Sequence, residues 1–301
     1  MKNNIIILVA NGFIGKEISS YFASKNEYNV IRHSRNLKNS NDGYFCCDLG
    51  DSHWHKLIEK IEDPIIINCA GVGLAKLKKC SMNNEFITRK LVDSLKNHNK
   101  RYKLIHLSSV KAFNPNNYND PYSIDKLKSE NILTESGIFS GEIIRLPIVI
   151  GKNDKNFNPL VYLSKLKLLP GVNSKIPKWN CISNYDVAVY IENYINRDLF
   201  NENKFIINYL LSKNNFNIND MISAINKKNG NKTKFISLKK IEIIFNILSA
   251  ISFIANKMKY SSLPKERFLD IFVREWFIEK SSNIKLTTIN FDLEKFWENY
   301  E

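Results

Sequence analysis

The 301-residue chain has few of the features that mark disulfide-rich, secreted or membrane-spanning proteins. Its five cysteines, Cys46, Cys47, Cys69, Cys80 and Cys181, are odd in number and contain no CxxC pair. That argues against a disulfide framework and against a zinc site, and no metal is expected. The N-terminal MKNN and the short apolar strand after it have neither the long apolar core nor the cleavage site of a secretory signal, so a cytoplasmic location is the expectation. No apolar run reaches the roughly 20 residues that cross a bilayer. The most apolar stretch, 241–255, reads as a buried helix, with an interfacial helix contacting a membrane periphery as the alternative. Internal repeats and low-complexity linkers are absent. Acidic residues are few beside basic ones, 30 against 44, for a net charge of +14. The basic residues are spread along the chain without a recognition motif, which favours attraction of a phosphorylated small molecule over nucleic acid.

What is present begins with Ile5–Gly15, IIILVANGFIG. Four apolar residues suit a central parallel strand buried on both faces. Gly12 and Gly15 stand where a chain approaches a phosphate and packs a helix closely, and the helix start aims N–H groups at an anion. A helix over 16–24 and a strand over 28–32 complete a βαβ unit. That second strand runs into Arg32-His33-Ser34-Arg35 with no carboxylate. A guanidinium there accommodates a 2′-phosphate, so NADP is favoured over NAD. A third strand over 44–47 leads to Asp48-Leu49, where the carboxylate can accept from an adenine amino group; a helix-capping role for Asp48 or Asp51 is the alternative. The fourth strand, 65–67, enters Asn68-Cys69-Ala70-Gly71, small residues that let a ribose and nicotinamide lie against the backbone. A helix over about 83–97 carries Asn84, Thr88 and Leu91, and the fifth strand, 103–107, closes in Ser108-Ser109.

Thirteen residues beyond Ser109, Tyr122 and Lys126 stand at i and i+4 in PYSIDKLKSE, on one helix face. A free phenol titrates near pH 10, and a neighbouring ammonium lowers that by favouring the phenolate. Tyr122 is therefore the candidate acid, Lys126 its charge partner, and Ser109 a hydroxyl able to hold a substrate oxygen against the phenol. A sixth strand over 141–144 ends in Arg145-Leu146-Pro147-Ile148-Val149-Ile150-Gly151. Beyond it the βα alternation stops, and 152–178 reads as loop-rich, with Pro159, Pro170 and Pro177. An extended piece followed by a helix is expected over 182–195.

In this order the pieces resemble the short-chain dehydrogenase/reductase superfamily, in its extended branch of nucleotide-sugar epimerases, dehydratases and ketoreductases. The likeness runs from about Ile5 to Ala188 through ANGFIG, Asp48-Leu49, NCAG, NEFITRKL, HLSS, YSIDK, the Arg145–Gly151 stretch and ISNYDVA. It implies an α/β Rossmann-type doubly wound parallel sheet over 1–151, with strand and helix returns from about 182–196. A smaller, mostly helical substrate-binding region is implied over 152–301. It further implies NAD or NADP lying along Gly12, Phe13, Ile14, Gly15, Ser34, Arg35, Asp48, Leu49, Cys69, Ala70, Gly71, Asn84 and Pro147. Ser109 would orient the substrate, Tyr122 would be the acid/base, and Lys126 would also hold the nicotinamide ribose. A nucleotide-sugar substrate of surface-polysaccharide synthesis and a homodimer are the implied partners.

Departures from the family pattern narrow the chemistry. Val110-Lys111 follow Ser109 where dehydratases carry an acidic pair, and no cysteine adjoins Ser109 as in combined epimerase-reductases. Ile148 takes the place of an asparagine that often contacts the sugar-nucleotide diphosphate, and Val9 that of the first glycine of three. The expected activity is an NADP-dependent ketoreductase on a nucleotide-linked keto sugar. The alternatives are a C4-epimerase holding NAD tightly and a catalytically idle nucleotide-binding scaffold.

Overall fold

A computed structural model describes residues 2–35, 43–71, 83–98, 100–113, 121–152, 154, 158–200, 205–241, 243 and 285–300. Cys80, Trp276 and all of the apolar stretch 241–255 except Ile241 and Ile243 lie outside them. The described residues fall into two units: those within Met1–Pro147, Asn184–Leu211 and Glu279–Thr287, and those within Ile148–Ser183, Ser212–Ile278 and Thr288–Glu301.

The first unit is built on isoleucine. Strand β1 (Asn3–Leu8) is buried from Ile5 to Leu8 on both faces, the property that β-branched runs confer on a central parallel strand. It pairs in parallel with β2 (Tyr28–Ser34) on one side and β4 (Ile65–Asn68) on the other. Strands β5 (Tyr102–Ser109), β6 (Phe139–Leu146) and β10 (Phe205–Ser212) continue the parallel sheet outward from β4, and β3 (Phe45–Cys46) extends it beyond β2. With β13 (Lys285–Ile289) the spatial order is 13-10-6-5-4-1-2-3. The strand order therefore reverses at β1, and the crevice outside the carboxyl ends of β1 and β4 is where such sheets take ligands. On one face, Trp54 and Ile58 of α2 (Ser52–Lys60), Leu91 and Leu95 of α3 (Asn84–Lys96) and Leu133 of α4 (Pro121–Glu135) pack on Ile6, Leu8, Ile66 and Leu104. Helix α1 (Phe13–Ala23) packs with α6 (Asn184–Asn196).

The second unit contains β7 (Ile148–Ile150), α5 (Asn158–Lys165), β8 (Gly171–Val172), β9 (Trp179–Ser183), β11 (Asn215–Phe216), α7 (Ile218–Lys228), β12 (Phe235–Ile236) and α8 (Leu293–Glu298). Trp179, Cys181, Met221, Ile225 and Trp297 form its core.

Structure and expectation differ in three places. Strand β10 has no counterpart among the elements expected from the sequence. The extended piece expected to return with the helix at 184–196 is β9, which is the central strand between β7 and β11 in the second unit, so the return begins at Asn184. The loop-rich stretch 152–178 contains α5 and β8.

Candidate active site

The turn after β1 is built around the carbonyl of Val9. Gly12 N–H donates to it at 2.9 Å. A Cβ on Gly15 would lie 2.4 Å from that oxygen, and one on Gly12 3.1 Å from it, so the first of these positions admits only glycine without rearrangement. Val9 itself has φ +56°, the left-handed conformation in which glycine is at ease. The valine therefore keeps the backbone course of a glycine, at a cost of roughly 1–2 kcal/mol. Ala10 N–H donates to the His33 carbonyl at 2.9 Å, fastening the turn to β2. Helix α1 opens at Gly12 with no side-chain cap and no acidic residue in its first turn. Its leading N–H groups, on Phe13, Ile14 and Gly15, have no partner within the helix and suit an anion. A dinucleotide diphosphate fits this turn.

At the end of β2, Ser34 is buried and Arg35 is exposed. His33 is held by the Cys47 carbonyl at 3.1 Å, and burial pushes its imidazole pKa down to about 4. Asp51, not Asp48, caps α2, through His53 N–H at 2.9 Å. Asp48 pairs with Lys90 of α3 at 2.5 Å. Both Asp48 and the buried Leu49 line a cavity of about 690 Å³ that reaches Phe86 and Lys90.

The ends of β4 and β5 meet the starts of α3 and α4. Asn68 Nδ2 donates to His106 Nδ1 at 3.0 Å, while its Oδ1 accepts from Ala70 N–H at 3.0 Å. Burial holds His106 well below its ordinary pKa, so the ring is neutral and can accept. Burial also pushes the Cys69 thiol up to about 12. Gly71 lies against Asn84 and Lys126: a Cβ there would stand 3.2 Å from both Asn84 Oδ1 and Lys126 Nζ. Asp125 accepts from the backbone N–H groups of Asn84 (2.8 Å) and Glu85 (3.0 Å) and from Asn84 Nδ2 (2.5 Å), which locks α3 to α4.

Lys126 is buried, and its Nζ donates to the Leu107 carbonyl at 3.2 Å, two residues before Ser109. Burial brings its pKa down to about 8, against the opposing pull of Glu130 and Asp125. Ser109 ends β5, and its hydroxyl accepts from Lys111 N–H at 3.3 Å as the chain turns through Val110–Ala112. Tyr122 is half-buried one helical turn before Lys126 on α4. Gly71, Asn84 and Lys126 are thus brought together, with Ser109 at the same strand ends. Ser34, Arg35, Asp48 and Leu49 lie toward β2 and β3, and Pro147 is buried just past β6.

Beneath these residues runs a buried ionic network. Glu130, one turn beyond Lys126, accepts from Arg145 Nε at 3.0 Å and Nη2 at 2.6 Å, and from the Ser108 hydroxyl. Arg145 Nη1 donates to Tyr209 on β10 at 2.8 Å. Asp125, His106 and Glu130 are functional neighbours that no sequence motif singles out. The available signal was the i+4 spacing of Glu130 from Lys126, which puts them on one face of α4.

The model of the NAD dependent epimerase/dehydratase family matches residues 5–164. No curated protein matches the sequence. Several solved structures are similar in fold. UDP-N-acetylglucosamine 4-epimerase from Bacillus cereus aligns with a TM-score of 0.66 at 12% identity, over 99% of this chain and 94% of that one. dTDP-4-dehydrorhamnose reductase from Bacillus anthracis, in complex with NADP, gives 0.61 at 17% identity over 79% and 86%. UDP-glucose 4-epimerase from Bifidobacterium longum, in complex with NAD+ and UDP, gives 0.60 at 16% over 78% and 86%.

Proposed function

Because the chain belongs to the NAD dependent epimerase/dehydratase family, we propose that it is an NAD(P)-dependent oxidoreductase reducing a nucleotide-linked keto sugar for surface-polysaccharide synthesis. The observation that carries this reading is the placing of a buried ammonium, Lys126 Nζ, beside Gly71 and Asn84, on the helix face of Tyr122 and at the strand end of Ser109. The similar folds known to hold NAD or NADP support the cofactor class.

The nicotinamide supplies the hydride. Tyr122 gives its phenolic proton to the carbonyl oxygen that becomes the alcohol, and Ser109 donates a hydrogen bond to the same oxygen beforehand. Lys126 stabilises the phenolate left on Tyr122, an effect strengthened by the burial of its ammonium. The first turn of α1 would hold the diphosphate, and Gly71 would leave room for the ribose beside Lys126. Arg35, exposed at the end of β2 with no carboxylate beside it in the sequence, receives the 2′-phosphate of NADP.

Tyr122→Phe tests the assignment. General acid catalysis contributes on the order of 10²–10⁴ in rate, and the variant is expected to lose that factor in kcat while still binding NADPH. Biological activity left intact by Tyr122→Phe would favour a catalytically idle nucleotide-binding protein. Arg35→Ala is expected to raise the KM for NADPH about tenfold and to leave NADH nearly unaffected; a preference for NAD untouched by the change would defeat the NADP assignment.

A further inference from the structure

The second unit exposes large apolar side chains among lysines at one end. Helix α5 stops in a tight turn: Lys167 N–H donates to the Ser164 carbonyl and Leu168 N–H to that of Leu163, each at 2.8 Å. Lys167 takes the left-handed conformation, φ +59°, that such a turn ordinarily reserves for glycine or asparagine. A strained backbone residue is a reason to look for a role. Here the turn presents Leu166 and Leu168 to solvent, 48% and 62% exposed, with Tyr162 at 64% one turn before Leu166 on the same helix face.

The segment 229–235 is tied to this turn. Asn231 Nδ2 donates to the Ser164 carbonyl at 2.6 Å, Asn229 Nδ2 to the Ser164 hydroxyl at 3.0 Å, and β12 pairs with β8 so that Phe235 stands against Gly171. Phe235 is 55% exposed. Lys165 and Lys167 flank Leu166 in the sequence, Lys232 and Lys234 precede Phe235, and all four are exposed. Neither 155–185 nor 221–241 contains an acidic residue. Lys227 pairs with Glu294 and stands apart from this set.

The geometry points to an anionic lipid surface as the occupant of this face. Lysine is depleted at the centres of protein interfaces, where arginine is preferred, and this patch has lysine without arginine. The sequence around this patch contains no nucleic-acid recognition motif. Leucine and aromatic groups interleaved with lysines whose stems reach along apolar surface while the ammonium stays at headgroup level is the pattern of an interfacial anchor. The leucines and Phe235 enter the headgroup boundary, and the four ammonium groups meet lipid phosphates. The chain would then act at a membrane surface without crossing it. This surface is independent of the reaction assigned above.

Cosedimentation of the full chain with vesicles tests it. Binding is expected to vesicles of about one-third phosphatidylglycerol in phosphatidylcholine, to weaken with salt, and to be absent with phosphatidylcholine alone. Leu166→Ser with Leu168→Ser is expected to lower the partition at least about tenfold, and each of Lys167→Ala and Lys234→Ala about fivefold. Leu286→Ser, an exposed apolar site in the other unit, is expected to leave it unchanged. Both leucines are exposed, and circular dichroism checks that the variants fold. Equal binding to neutral vesicles, no binding to either, or sedimentation indifferent to the leucine pair would overturn the proposal. So would a leucine-pair variant that changed the oligomeric state in place of vesicle binding.

Discussion

Replacing Lys126 with methionine should make the protein more stable and inactive. Burial takes this ammonium from an ordinary pKa near 10.5 to about 8. That difference makes the charged form about 3 kcal/mol more costly in the folded chain than in the unfolded one. Methionine has a similar length and carries no charge. Its introduction forfeits the hydrogen bond to the Leu107 carbonyl, worth about 1 kcal/mol, so a net gain of roughly 1–3 kcal/mol is expected near neutral pH. The sign of the pH dependence follows from the direction of the shift. Between about pH 8 and 10.5 the folded chain has already released the Lys126 proton while the unfolded chain still holds it. Stability of the unsubstituted protein therefore rises across that window, and the advantage of the methionine variant shrinks. Urea unfolding of both proteins, followed by far-UV circular dichroism near pH 7 and again near pH 10, measures the gap and its change; taking the difference cancels the other groups that titrate there. A variant less stable than its parent near neutrality, or a gap independent of pH, would refute the picture of a lysine kept in a dry site at the expense of stability.

Three further substitutions probe the scaffold. Val9→Gly removes a branched side chain from a left-handed backbone and should stabilise the chain by about 1 kcal/mol, after allowing for the greater freedom of glycine when unfolded, and tighten NADPH binding severalfold in a fluorescence titration. Gly15→Ala places a methyl group 2.4 Å from the Val9 carbonyl oxygen. It should cost at least about 2 kcal/mol in chemical denaturation and abolish dinucleotide binding. Arg145→Ala leaves the buried Glu130 carboxylate without its cation and should cost about 3–5 kcal/mol by the same measurement; a loss below 1 kcal/mol would show that the pair is solvated.

The succession of βα units and the pairing of Tyr122 with Lys126 were legible because both depend on local periodicity: apolar strand runs followed by small or hydroxyl residues, and an i, i+4 step on one helix. Asp51 could be read as a cap in competition with Asp48, and only the contacts decided between them, Asp48 being taken by Lys90. The run FIINYLLS at 205–212 has strand length and follows an Asn-rich stretch, but its place in the sheet is set by pairing with β6, far away in sequence, which local periodicity does not reveal. Strand β9 was assigned to the wrong unit for a similar reason: burial on both faces says that a strand is central, and says nothing of which sheet contains it. The conformation of Val9 ran against residue preference, because the demands of the neighbouring glycines and of the strand outweighed about 1–2 kcal/mol of local strain. The Glu130–Arg145 pair joins a helix to a strand through tertiary packing alone.

The central claim is a stoichiometric reduction, and following NADPH absorbance while a nucleotide-linked keto sugar is consumed tests it most directly. One NADPH oxidised for each sugar alcohol formed, with the rate lost in Tyr122→Phe, is the predicted result. Interconversion of sugar epimers with no net NADPH oxidation, by a protein that copurifies with tightly held NAD, would contradict it.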